Sequence, residues 1–369
     1  MTQTQSLVVP NHGGGARSGL NLRQIGERGA VPGILLLIIL IFTFLPATSQ
    51  YFMTPANIQN IVANQAVTGL IALGMVIPLV AGYFDLSVAA IAGLSNVTVA
   101  ALLATYQMPI AVGVGAGIVV GVIAGAINGI LVGVLRLSPF IATFGTYIVI
   151  GGLLQLYTNG QIISSGMPSE FGEWFSGKWL GLARPFWILM AIAVLIWYLL
   201  VNTPFGRKLA AIGSNESAAR LAGIRVDRSV FTVFVLSGLV AGLAGAVLTA
   251  RSGSADSQTA LTYLFPALAA VFLGQTAITP GRYNVWGTIF GVFLVAVAVN
   301  GFTLMGANSS IAQLFNGAAL LASLFASSFI ARAREQKARR RAVAIAAMTQ
   351  ENPSPHEPDP RTRGAADVP

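Results

Sequence analysis

Asn202 to Arg228 reads N-T-P-F-G-R-K-L-A-A-I-G-S-N-E-S-A-A-R-L-A-G-I-R-V-D-R, a basic, capped island between two long apolar runs. Arg207, Lys208, Arg220, Arg225 and Arg228 stand against Glu216 and Asp227, so in a membrane chain this segment is expected on the cytoplasmic side. A short helix is punctuated inside it. Ser214 or Asn215 can accept a bond from an orphan N–H at its start, and Glu216 sits in the first turn. Ala218 and Ala219 favour helix, and Gly223 supplies a left-handed stop. A compact helix held at a membrane surface is a docking element. The plainer reading is a connecting loop with a chance helix, and spacing alone leaves both open.

Outward from the island the chain is overwhelmingly apolar. Hydrophobic residues make up 55% and charged residues 9%, with a mean hydropathy of +0.74. A soluble domain is usually about a quarter charged, so this is an integral membrane protein. Aliphatic runs of about 20 residues recur, each long enough to cross a bilayer as a helix with its backbone bonded internally. Barrel strands would alternate, and these runs do not. There is no cysteine, which removes disulfides and thiolate metal sites.

Ten spans are expected, at 32–48, 57–81, 87–106, 109–135, 139–157, 185–202, 229–250, 262–278, 284–304 and 310–331, giving an all-α fold with both termini cytoplasmic. Charge placement tests this division. Eighteen of the 21 cations then fall inside, and only Lys178, Arg184 and Arg251 fall outside. One missed helix would invert every later loop. The net charge of +9 is therefore a matter of orientation in a lipid bilayer rather than of nucleic-acid binding.

Residues 1–30 form a polar cytoplasmic tail, residues 31–331 the membrane domain with an outer loop at 158–184 and the inner island at 203–228, and residues 332–369 a basic and then proline-rich tail. Both tails are expected to be disordered beyond a basic helical extension from Ala331 to Arg341. The first span, with Arg23 and Arg28 before it and Pro46-Ala-Thr-Ser after it, has a signal-peptide look. It is read as uncleaved because the polar lead-in is long and the chain is polytopic.

Within the spans, Gly113, Gly117, Gly121, Gly125, Gly129 and Gly133 keep an unbroken four-residue spacing in the fourth, with a shorter strip at Gly238 and Gly242 in the seventh. Such strips let helix backbones approach, which is packing rather than a site. The second span carries Asn57, Asn60, Asn64 and Thr68 on one helical face, and Asn128, Thr143 and Thr146 add polar groups in the fourth and fifth. These residues either line a hydrophilic path or bond helices together. Asp85, in Gly82-Tyr-Phe-Asp-Leu-Ser87, is the one acid between these apolar runs. A carboxylate at membrane depth costs about 2.5–3.5 kcal/mol on insertion scales. It sits either at a water-accessible helix break or as a cap on the helix that begins near Ser87.

Groups for bond chemistry are missing from the spans. His12 and His356 are the only histidines and lie in the tails, which excludes histidine-based nucleophile activation or metal binding in the spans, and no phosphate-binding glycine loop with Lys and Ser/Thr is present. Any energy-driven work needs nucleotide bound by another chain.

Asn57-Ile-Gln-Asn60-Ile, Gly69-Leu-Ile-Ala-Leu-Gly-Met75, Asp85-Leu-Ser-Val88, Asn128-Gly-Ile-Leu-Val132, Pro139-Phe-Ile-Ala-Thr143-Phe-Gly-Thr146, Phe205-Gly-Arg, Asn215-Glu-Ser-Ala-Ala-Arg-Leu-Ala-Gly-Ile224 and Ser237-Gly-Leu-Val-Ala-Gly-Leu-Ala-Gly245 occur in this order. Together they resemble the ribose/xylose-type permeases of bacterial ABC sugar importers, over about Thr54 to Phe329. The resemblance implies an inner-membrane subunit that translocates a monosaccharide or related polyol. It implies a second permease copy or paralogue, a cytoplasmic ABC ATPase that holds the ATP and Mg, and a periplasmic sugar-binding protein, with no cofactor bound by this chain. It also implies that Gly213, Asn215, Glu216, Ala218, Ala219 and Gly223 belong to a coupling helix, with the methyl of Ala219 against a groove of the ATPase. Two stretches depart from the family pattern. An acid expected at the start of the eighth span is absent from Tyr263 to Ala270, and Gly274 to Arg282 carries an altered turn. Gly82-Tyr83-Phe84 replaces the usual glycine- and isoleucine-containing approach to Asp85. The competing reading is a secondary transporter or channel for a small polar solute, against which the capped cytoplasmic helix argues.

Overall fold

The computed structural model describes residues 22–308, 310–325 and 336. Residues 1–21 of the expected N-terminal tail, with His12, and the expected C-terminal tail but for residue 336, with His356 and the cations beyond Ala331, lie outside the described residues; residues 22–30, expected in the disordered tail, are helical instead. In chain order the elements are α1 (Leu22–Phe44), α2 (Pro55–Val80), α3 (Val88–Ala100), α4 (Ile110–Gly129), α5 (Pro139–Thr158), α6 (Ser169–Ser176), the two-residue strands β1 (Lys178–Trp179) and β2 (Leu182–Ala183), α7 (Arg184–Asn202), α8 (Pro204–Ser214), α9 (Glu216–Leu221), α10 (Val226–Ser252), α11 (Leu264–Thr276), α12 (Val285–Leu304) and α13 (Ser310–Phe325). Eight segments are long and apolar enough to cross a membrane, and the first and tenth expected spans correspond to shorter apolar helices, Val31–Phe44 and Ser310–Phe325. The expected tenth span runs on into residues outside the described set.

Local chemistry sets the helix starts. Proline occupies the first turn of α2, α5, α7 and α8, where its missing N–H costs nothing. Thr54, Thr203 and Asn284 cap α2, α8 and α12 by accepting the N–H of Asn57, Gly206 and Gly287. The ends of α3 and α4 share one device. Each loosens into a π turn, Ala101–Thr105 and Ile130–Val134, and is stopped by a left-handed residue, Gln107 or Arg136. Proline then follows shortly, at Pro109 and Pro139.

Burial divides the spans into a centre and a shell. Residues of α2, α3, α10 and α12 are mostly enclosed, whereas α4, α5 and α7 turn apolar faces outward to where lipid lies. α10 is the central post, packed against α2, α3 and α4, and α11 and α12 pair against α2 with α1 laid on α12. The glycine strip of α4 meets its partners in sequence. A Cβ on Gly113 would press into Leu103, and one on Gly117 into Ser95 and Val99. Lower down, a Cβ on Gly121 would lie 2.8 Å from the Cα of Gly242, and one on Gly125 3.0 Å from the Cα of Gly238. The two strips are therefore one interface, closed at backbone distance.

Loops expected on one side find each other. Arg136 pairs with Asp227 and Tyr83 with Glu216 on the side expected to be inner, while Gln107 bonds Gly166 and Ile163 bridges Ala255 on the side expected to be outer. Two loops hold structure that apolar patterning does not reveal. The outer one folds into α6 and the β1–β2 hairpin, and the inner one into α8 and α9.

Candidate functional site

The inner island is built as a braced, six-residue helix. Asn215 is its cap, accepting the N–H of Ala218 at 3.0 Å, so of the two candidates Asn215 rather than Ser214 does this. At the other end Gly223 has φ +81°, and its N–H and that of Ile224 reach back to the carbonyls of Arg220 and Ala219. Glu216 accepts from Tyr83 Oη at 2.9 Å and from Arg220. Arg220 also grips Asp227 at 2.6 Å, and Asp227 receives Arg136 at 3.1 Å. The two carboxylates, Asp227 first and then Glu216, push the Arg220 guanidinium up, so it stays charged. Gly213 touches the α2–α3 turn backbone to backbone, where a Cβ would lie 3.2 Å from the carbonyl carbon of Ala81.

The outward face of this helix differs from the sequence expectation at one residue. Ala219 is 3% exposed and packed into its own chain, so it is unavailable to a partner. Ser217, Ala218, Leu221 and Ala222 face out instead, and Leu221 is 90% exposed. Helices of six residues are too short for pattern alone to show which side turns inward. A basic cleft of about 410 Å³, lined by Arg220, Ile224, Arg225, Val226, Asp227 and Arg228, opens beside it.

Four of the residues expected along a path are instead bonded together near the α2–α3 turn, Asp85, Asn128 and Thr143 buried and Thr146 half-buried. Asp85 is 2% exposed; its Oδ1 accepts the N–H and hydroxyl of Ser87, and its Oδ2 accepts the hydroxyl of Ser237 at 2.9 Å. Asn128 donates to Ser87 Oγ at 2.7 Å and accepts from Thr146 Oγ1 at 2.7 Å. Thr143 accepts the N–H of Leu86 at 3.1 Å. Asp85 thus fixes the turn ahead of α3 rather than capping the helix, whose cap position is Ser87 with no side-chain cap bond, and the turn is joined to α4, α5 and α10. A buried carboxylate with this many donors is compensated where it lies. Ser237 was missed because a lone serine in an apolar run gives no signal of its partner.

The stripe on α2 is also divided. Asn57 and Asn300 exchange two amide hydrogen bonds of 2.9 Å across to α12, and Asn64 donates to Asn60 at 2.7 Å. Thr68 is buried in the core. Only Asn60 opens onto an outer cleft of about 350 Å³, shared with Gln59, Ser176, Lys178 and Arg251. The altered stretch Gly274 to Arg282 is organised by Asn284, whose Nδ2 reaches the carbonyls of Gly274, Ala277 and Arg282.

A polytopic helical bundle with a short, braced helix in one of its loops fits a permease component. The chain belongs to the family described as branched-chain amino acid transport system/permease component, whose model matches residues 57–324. It is 38% identical to the ribose import permease protein RbsC of Bacillus subtilis (strain 168) over 295 residues, covering 79% of this chain and 90% of that one. Against RbsC of Escherichia coli (strain K12) it is 32% identical over 286 residues, 77% and 88% of the two chains. Against the L-arabinose transport system permease protein AraH of Escherichia coli (strain K12) it is 30% identical over 335 residues, 91% and 99%. No solved structure matches. The chain is thus a multi-pass permease component of an ABC transporter of the inner membrane and not a catalytic enzyme.

Proposed function

We propose that this chain translocates a monosaccharide or related polyol inward, driven by ATP hydrolysed on a separate cytoplasmic ATPase that docks on α9. One observation carries this reading: a leucine 90% exposed at the end of a helix braced by caps and ion pairs. An apolar side chain held out to solvent on a rigid mount suits a groove in a partner. The partner binds ATP and Mg, and this chain binds no cofactor. A second copy or paralogue completes the membrane unit, and a periplasmic binding protein delivers the sugar to the outer face. ATPase closure then moves α9, and rigid helices change between outward- and inward-open packings. The names of the ribose and arabinose relatives support the substrate class. The outer cleft offers amides at Gln59 and Asn60 and a guanidinium at Arg251, groups that suit hydroxyls.

Leu221→Asp tests this directly in the chain co-expressed with its ATPase. The variant should insert and express normally while ATPase co-purification and ATP-dependent uptake of labelled D-ribose or L-arabinose fall together. Normal uptake by Leu221→Asp with no ATPase bound would transfer the chain to the secondary-transporter or channel reading.

A further inference from the structure

We propose that Tyr83 is a positioning residue that links the docking helix α9 to the α2–α3 turn, so that displacement of α9 carries the Asp85 junction with it. The inference rests on the ATP-driven reading above. It is carried by one hydrogen bond, Tyr83 Oη to Glu216 Oε2 at 2.9 Å, between residues 133 positions apart. Beside this bond the docking hairpin and the turn also meet backbone to backbone: a Cβ on Gly82 would lie 3.5 Å from the Cα of Gly213. Such a contact resists compression but transmits little sideways pull. The phenol–carboxylate bond supplies direction.

Both ends of the bond are anchored. The Tyr83 ring packs against the hydrophobic core, and Glu216 is clamped by Arg220, itself held by Asp227 at the head of α10. Burial first, and then the Glu216 carboxylate, push the Tyr83 phenol up, so it remains a donor at physiological pH. Two residues further on, Asp85 bonds Ser87 and Ser237, and Ser87 receives Asn128, which in turn receives Thr146. The next residue, Phe84, lies 6.2 Å between ring centroids from Phe272 of α11. A shift entering at Tyr83 therefore reaches α3, α4, α5, α10 and α11 within a few residues. The ion pairs of Asp227 with Arg220 and Arg136 run beside this route, and like Glu216 itself they are partly exposed, where water and salt weaken them.

The absence of cysteine allows a clean test in the full chain purified with its ATPase. Ala56→Cys, exposed at the start of α2 and lining the outer cleft, is labelled with a maleimide with and without Mg-ATP and vanadate. In the otherwise native chain the nucleotide state should change the labelling rate. Tyr83→Phe removes only the hydroxyl. It should shrink that change by about tenfold, the scale of one hydrogen bond to a charged acceptor. ATPase co-purification and hydrolysis should persist. Glu216→Gln keeps an acceptor oxygen and should retain most of the response. A full response in Tyr83→Phe overturns the proposal, as does loss of the ATPase from that variant, which would make the bond part of the docking surface itself. A native chain that holds its ATPase yet shows no nucleotide response overturns it as well. Failure to retain any ATPase would instead sink the ATP-driven reading.

Discussion

Asp85 holds three donors in a space closed to water, and the geometry leaves no freedom to replace it. Asp85→Ala removes the acceptor shared by the N–H and hydroxyl of Ser87 and the hydroxyl of Ser237. The substitution should cost about 1–3 kcal/mol, read as a lowered Tm of the detergent-purified chain. Ser237→Ala should cost less, about 1 kcal/mol. Because the two share a bond, the double variant should cost less than the sum. Ala219 gives the complementary contrast on α9. Ala219→Glu forces a carboxylate into a packed site and should lower Tm and expression, whereas Leu221→Asp should leave both unchanged and affect only docking. Sequence showed that both residues belonged to one short helix. It could not show which of them faced inward, because that depends on Tyr83 and Asp227 arriving from distant segments.

Between helices, the paired glycines of α4 and α10 replace side-chain packing with backbone contact. Gly125→Ala should push the two helices apart at Gly238, with a Tm loss matching about 1–3 kcal/mol of overpacking. Gly115, with nothing within 4 Å of its added Cβ, is the control. Gly115→Ala should leave Tm unchanged or raise it, since alanine is favoured by about 1 kcal/mol within a helix. An equal loss at both positions would mean that helix propensity rather than contact governs the strip. The four-residue spacing made this strip legible, and the shorter one on α10 too. Their pairing was not, because nothing local in either strip names its partner. The amide stripe of α2 misled for the same reason: Asn57 reads as a lining residue until Asn300 stands opposite it.

Across the whole molecule, the alternation of sides was the most legible property, since charge asymmetry acts over every loop at once. What charge could not supply was structure inside the loops: α9 was legible from its capping residues, whereas α6 and the β1–β2 hairpin are too short for any hydrophobic period to show. Sidedness is open to a simple check. In intact cells an impermeant maleimide should label Leu180→Cys at the tip of the β1–β2 hairpin, which is 88% exposed, and leave Ser217→Cys untouched. Permeabilisation should expose both. Labelling of Ser217→Cys from outside would invert the chain and remove α9 from the compartment that holds ATP.

The place of α10 at the centre also dictates an order of assembly. The ribosome completes α2, α3 and α4 nearly a hundred residues before α10 begins at Val226, yet their closest partners lie on α10. Until it arrives, the strip from Gly121 to Gly133 faces lipid, and Asp85 and Ser95 lack the hydroxyl of Ser237 and the carbonyl of Gly242. The first half of the chain must therefore wait in the membrane half-packed, with some of its polar groups short of their final partners. A nascent chain halted before Val226 is the form that membrane quality control should recognise and degrade.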